Sequence, residues 1–108
     1  VREQLEAATD LFDRLAQAQG SPAQVASFAR LFLVPGMGHC GGGTGTSTVD
    51  WLTALDTWVE SGVAPDALPA SRVANQVVNR TRPICAYPKE AKYSGTGSID
   101  DAANFTCG

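Results

Sequence analysis

The chain has 108 residues, 44% of them hydrophobic and 18% charged, with a net charge of −3. Those values suit one small globular domain and exclude a chain that is disordered from end to end. An acidic balance without a basic patch argues against non-specific nucleic-acid binding, and no apolar stretch is long enough to span a bilayer.

The sequence opens Val-Arg-Glu-Gln-Leu-Glu, with no initiator Met and no signal-peptide pattern, so it is expected to be an excised piece, a mature form or a fragment. Leu5, Ala8, Leu11, Phe12, Leu15 and Ala16 recur at helical spacing, which predicts an amphipathic helix from Arg2 to Gln19. Gly20-Ser21-Pro22 ends it, and the residues from Pro22 to Val25 suit a second, shorter helical turn. The apolar run Phe28 to Val34, stopped by Pro35-Gly36, predicts a strand buried on both faces, as in a parallel sheet. A glycine-rich loop follows. It carries the chain's single histidine, His39, directly before Cys40.

Ser47 or Thr48 is a candidate cap for a helix from about Val49 to Ser61, with Gly62 as its stop. Val49, Trp51, Leu52, Leu55, Trp58 and Val59 give that helix a broad apolar face, so it should pack against a sheet or another helix. "APDALP" reads as a turn-rich connector, and Ser71 to Val78 as a candidate strand. After Arg82-Pro83 the chain is expected to turn irregular, with Cys85 and Cys107 bracketing a polar loop. The order helix, strand, glycine loop, helix is that of an α/β protein. One clear strand and one candidate cannot make a doubly wound sheet, so the chain reads as the last units of a larger α/β fold.

Gly36-Met37-Gly38-His39-Cys40-Gly41 matches the spacing of a dinucleotide fingerprint after a strand. Gly41-Gly42-Gly43 and Gly45 prolong the loop, however, and delay the helix whose N-terminus would face a pyrophosphate. No phosphate-binding G-x-x-x-x-G-K-[ST] pattern occurs. With one His and no C-x-x-C pair, tetrahedral zinc would need ligands from elsewhere, and no metal ligand is assigned. A lone loop histidine is ordinarily a solvated surface residue. Flanking glycines that allow close approach, and a place after a buried strand, instead suit a general base whose ring must meet a nucleophile.

Three cysteines leave one to pair outside the chain or to stay free in an oxidising compartment. Cys85 and Cys107 are the natural internal pair, the alternative being two free buried thiols. Closing a loop of that size contributes roughly 3 kcal/mol when unstrained. Asn79-Arg80-Thr81 and Asn104-Phe105-Thr106 match the N-glycosylation pattern, which has meaning only in a eukaryotic secretory host.

At "FLVPGMGHCGGG" the chain resembles the tannase and feruloyl esterase family of α/β-hydrolases. The resemblance continues through "DWLTALDTWVESGVAPDALPAS" and into "RTRPICAYPKEAKYSGTGSIDDAANFTC". It implies that His39 is the catalytic histidine. It implies that Cys40 forms a disulfide with a cysteine directly before the nucleophilic serine, outside this chain. Cys85 and Cys107 would be a second family disulfide. No G-x-S-x-G or Cys-Ser elbow is present. Asp10 and Asp13 lie within the first helix, not on a loop after a strand, and neither is assigned as the triad acid. The family's lid, with its calcium site, is not covered.

The resemblance therefore implies that residues 1–108 are the C-terminal part of an α/β-hydrolase catalytic domain. The parent would be a secreted or periplasmic serine esterase acting on aromatic hydroxy-acid esters, and this chain would supply its histidine and no cofactor. The partners implied are the small-molecule aromatic ester and the rest of the catalytic domain, which brings the serine and aspartate. No nucleic-acid or membrane partner is expected. The alternative is a non-enzymatic, disulfide-stabilised binding or interaction module in which His39 has no chemistry. On either reading the chain alone is expected to be inactive.

Overall fold

The computed structural model describes residues 2–108, divided between a unit ending at Leu31 and a unit from Phe32 to Gly108. The first unit is helical. Helix α1 (Arg2–Gln19) follows the expected periodicity, and its exposed side carries the i,i+4 pairs Arg2–Glu6 and Asp10–Arg14. Gly20, with φ 101°, turns the chain out of the helix. Helix α2 (Pro22–Ala26) is the expected short turn: the Ser21 Oγ accepts from the Gln24 N–H at 3.2 Å, and Pro22 fills a first-turn position that needs no donor. Val25 is fully buried.

The strand expected over Phe28–Val34 does not form. Among the described residues this segment makes one isolated antiparallel bridge, Phe32 to Ala86. Apolar composition alone does not make a strand; a ladder of backbone partners does, and here only one residue finds one.

The second unit holds an antiparallel sheet ordered β1 (Thr48–Val49), β2 (Ala67–Ala74), β3 (Val77–Cys85). A separate pair joins β4 (Ala91–Tyr93) to β5 (Phe105–Cys107), preceded by a single 3₁₀ turn over Ala102–Asn104. Every strand pair among the described residues is antiparallel. The expected parallel strand is thus absent from them, while the mixture of helix and strand is present.

Helix α3 (Trp51–Ser61) starts later than expected and has a different cap. Thr48 and Val49 pair with Ser71 and Ala70, which leaves Asp50 as the first residue free to turn. The Asp50 carboxylate accepts from the Thr53 N–H at 3.0 Å and the Thr53 hydroxyl at 2.6 Å. Those two bonds, the hydroxyl first, hold its pKa below the usual carboxylate value. Gly62 ends the helix as expected, at φ 70°, its N–H donating to the Trp58 carbonyl at 3.0 Å.

The candidate strand Ser71–Val78 is in fact the middle of a longer hairpin. The chain reverses at Asn75-Gln76, both at positive φ (50° and 65°), the conformation of a tight two-residue turn. Part of the "APDALP" connector, Ala67–Pro69, belongs to β2, and β3 runs through Arg82-Pro83 to Cys85 instead of becoming irregular. The reason lies in the register. Pro69 faces Pro83, and two residues without an N–H can oppose each other only where the ladder asks for no hydrogen bond. Alternation along β2 buries Leu68, which faces Ile84 of β3, and Ala70, which faces Arg82; with Cys85 at the end of β3 these buried apolar residues form the core of the unit. Cys85 and Cys107 are joined, with Cα atoms 5.7 Å apart.

Candidate functional site

The His39 loop is closed on itself by its own backbone. Gly45 N–H donates to Gly36 O at 3.0 Å, Met37 and Gly43 form an isolated antiparallel bridge, and Gly38 N–H donates to Gly42 O at 3.1 Å. At the tip, Gly41 N–H reaches Gly38 O at 3.3 Å, so His39 and Cys40 are the two central residues of a turn. The two arms lie so close that two positions admit no side chain. A Cβ on Gly45 would run into the Pro35 carbonyl, and one on Gly43 into the Gly36 carbonyl. Gly43 also has φ 92°, which other residues rarely adopt. What presents His39 is therefore a glycine-built hairpin, in place of the buried parallel strand expected from the sequence.

His39 and Cys40 are both exposed, and Cys40 is a free thiol. The imidazole Nδ1 lies 3.0 Å from the Cys40 Sγ. That contact occupies one ring nitrogen and leaves Nε2 for a group outside the loop. The loop's last root, Thr46, is buried at 5% relative exposure. The outermost turn of the loop is open, and its base is anchored.

Arg82 is a residue that sequence reasoning missed. Its Nη2 donates to the Ile99 carbonyl at 2.5 Å, and its guanidinium carbon lies 4.4 Å from the Phe105 ring centroid. Its Nε is buried without an acceptor among the described residues. The signal was the period of two along β3, which sets Arg82 in line with buried Ile84. That signal could be read only once the segment was known to be a strand. Neighbouring Arg80 pairs with Asp100 at 2.6 Å, and Ala102 N–H donates to the Thr81 hydroxyl at 2.9 Å, so β3 holds the segment leading to β5.

The structure joins Cys85 to Cys107 and sets His39 beside Cys40. It leaves Asp10 and Asp13 on α1, as read from the sequence. Among the described residues no three His, Cys, Asp or Glu side chains gather as a metal cage would need, and no helix is long and apolar enough to cross a membrane.

Comparison with known proteins defines the class. Residues 4–108 match the family model described as tannase and feruloyl esterase. Mono(2-hydroxyethyl) terephthalate hydrolase of Piscinibacter sakaiensis is 50% identical over an alignment of 101 positions that covers 91% of this chain and 16% of that protein. Feruloyl esterase B of Aspergillus niger is 34% identical over an alignment of 112 positions that covers 89% of this chain and 22% of that enzyme. The crystal structure of feruloyl esterase B from Aspergillus oryzae superposes with a TM-score of 0.87 at 31% identity, over 94% of this chain and 23% of that one. The chain belongs to the tannase and feruloyl esterase family. It spans about a fifth of the length of the curated relatives it matches, 16% in one and 22% in another.

Proposed function

We propose that residues 1–108 are the C-terminal part of the α/β-hydrolase catalytic domain of a serine-type carboxylic ester hydrolase, with His39 as its general base. The observation that carries this reading is the glycine hairpin, which sets the chain's one histidine at an exposed turn on an anchored base. The nucleophilic serine and the acid come from the rest of the domain. The serine oxygen attacks the ester carbonyl while His39 Nε2 takes its proton. His39 returns that proton to the leaving alcohol, then activates water to release the acid.

In such a triad Nδ1 faces a carboxylate. Here Nδ1 faces the Cys40 thiol. Thiol–disulfide exchange would join Cys40 to a cysteine beside the serine: the two thiols form one S–S bond while the disulfide of a thiol oxidase is reduced to two thiols, taking up the two electrons and two protons. That removes the thiol hydrogen, frees Nδ1 for the acid and staples the loop to the nucleophile. The relatives' names support aromatic acyl esters as substrates: feruloyl esters, or a terephthalate mono-ester. The Cys85–Cys107 disulfide supports a secreted or periplasmic setting.

The test is an assay of the complete polypeptide on methyl ferulate and on mono(2-hydroxyethyl) terephthalate, with a serine-directed fluorophosphonate as a second readout. Turnover of one ester, blocked by the fluorophosphonate, is expected. A complete protein that binds neither ester and does not react with the probe would overturn the reading.

A further inference from the structure

The His39 loop fixes its own shape but not its own direction. Gly45 N–H bonds to Gly36 O at 3.0 Å, so residues 36–45 form a closed body. Between that body and the sheet, Leu33 and Val34 on one side and Thr46 and Ser47 on the other belong to no helix or strand. The nearest backbone anchors are Phe32, bridged to Ala86 directly after β3, and Thr48, paired with Ser71 of β2. Each is slight, a single bridge on one side and a two-residue strand on the other. A side-chain contact joins the two roots to each other. The Phe32 and Trp51 rings meet edge to face, with centroids 6.0 Å apart and planes at 61°, an arrangement that aromatic pairs favour. Trp51 opens α3 directly after β1 and the Asp50 cap, so its ring belongs to the second root as Phe32 belongs to the first.

We infer that Phe32 and Trp51 are positioning residues that hold His39 in line with the nucleophile, an inference that rests on the esterase reading above. The physical reason is leverage. His39 lies seven residues beyond Phe32, a reach of at most about 25 Å, so a tilt of a few degrees at the roots moves the imidazole by about an ångström, enough to matter for catalysis. The hydrogen bonds inside the loop cannot resist that tilt, because both partners of each lie within the body that moves. The ring pair can, because it spans the two roots. Neither ring touches the reacting atoms; both act through the direction of the loop.

The experiment uses the complete enzyme. Trp51→Ala is expected to lower kcat by about 10- to 100-fold with KM little changed, and Trp51→Phe, which keeps a ring, to recover most of that loss. Phe32→Leu keeps the backbone bridge and removes the ring, so it makes the same test by a milder change should Trp51→Ala not fold. Because the rings act as a pair, the double variant should be no slower than the slower single variant. Tyr93→Ala is the control: it breaks a similar ring pair, with Phe105 at 5.5 Å on β4 and β5, at a residue of like exposure, 41% against 44% for Trp51. It should lower Tm and leave kcat unchanged. Wild-type kcat in Trp51→Ala or Phe32→Leu, additive losses in the double variant, or an equal kcat loss in Tyr93→Ala would each overturn the inference. A crystal structure of the Trp51→Ala enzyme, superposed on β2 and β3, supplies a readout without turnover. The loop should be displaced as a body, with the Gly45–Gly36 bond kept and His39 moved by about an ångström. An unmoved loop would overturn the inference, whereas the wild-type ester assay decides the esterase reading separately.

Discussion

At the scale of single residues, the site rests on positions where chemistry leaves one choice. Gly45 lies against the Pro35 carbonyl with no room for a Cβ. Gly45→Ala must therefore spread the arms of the loop and move His39. A displacement of about an ångström at a catalytic group costs on the order of 10²-fold, so kcat should fall by about that factor, with KM much less affected. Steady-state kinetics of the complete enzyme check this. Asp50 gives a pH signature. Its folded-state pKa lies below the usual carboxylate value, held down by the Thr53 hydroxyl and N–H. The stability it contributes is thus fully present above the unfolded-state value and is lost as pH falls through the lower folded value. Thermal melts of Asp50→Ala against wild type should show a Tm deficit of a few degrees at neutral pH that closes below about pH 4. A gap independent of pH would mean that the carboxylate charge has no part in the cap. The Cys85–Cys107 pair was legible at this scale, and so was the placing of His39 and Cys40 in a glycine loop. Arg82 was not, because its meaning depends on which face of β3 it occupies.

At the scale of elements, α1, α2 and the end of α3 could be read in advance, since helical period and caps are local signals. The strands could not. The apolar run Phe28–Val34 looked like a strand and found one bridging partner, while Arg82-Pro83 looked like a break and sits inside β3. Both outcomes were decided by residues distant in sequence: Ala86 in the first case, Pro69 in the second. The same non-local logic gives the disulfide its weight. It ties the end of β3 to β5 across a sequence separation of 22 residues. Replacing both Cys85 and Cys107 by Ser should cost roughly 3 kcal/mol, the loop-closure entropy restored to the unfolded chain. Denaturant titration of wild type and the double variant measures this, and reductant should bring wild type to the variant's midpoint. A variant as stable as oxidised wild type would show that the backbone ladders alone hold β5.

At the scale of the whole molecule, α3 presents Leu52, Leu55 and Val59 at 79%, 55% and 73% exposure. Burying such side chains stabilises by about 1.5–3 kcal/mol each, so an apolar stripe left in water favours association. The 108-residue chain by itself should therefore associate and should turn over no ferulate or terephthalate ester. Sedimentation and an ester assay check this, and a monodisperse, active 108-residue chain would contradict it. Family membership was legible from the His-Cys loop and "RTRPICAYP" taken together. The antiparallel architecture was not, because its pairings are non-local.

The central claim is that His39 is the general base, and replacing it tests that most directly. His39→Ala in the complete enzyme should lower kcat by on the order of 10⁶-fold, the cost of losing a triad histidine, with substrate binding and Tm little changed. Retention of more than about a tenth of wild-type kcat, a loss far too small for a triad histidine, would show that His39 is structural.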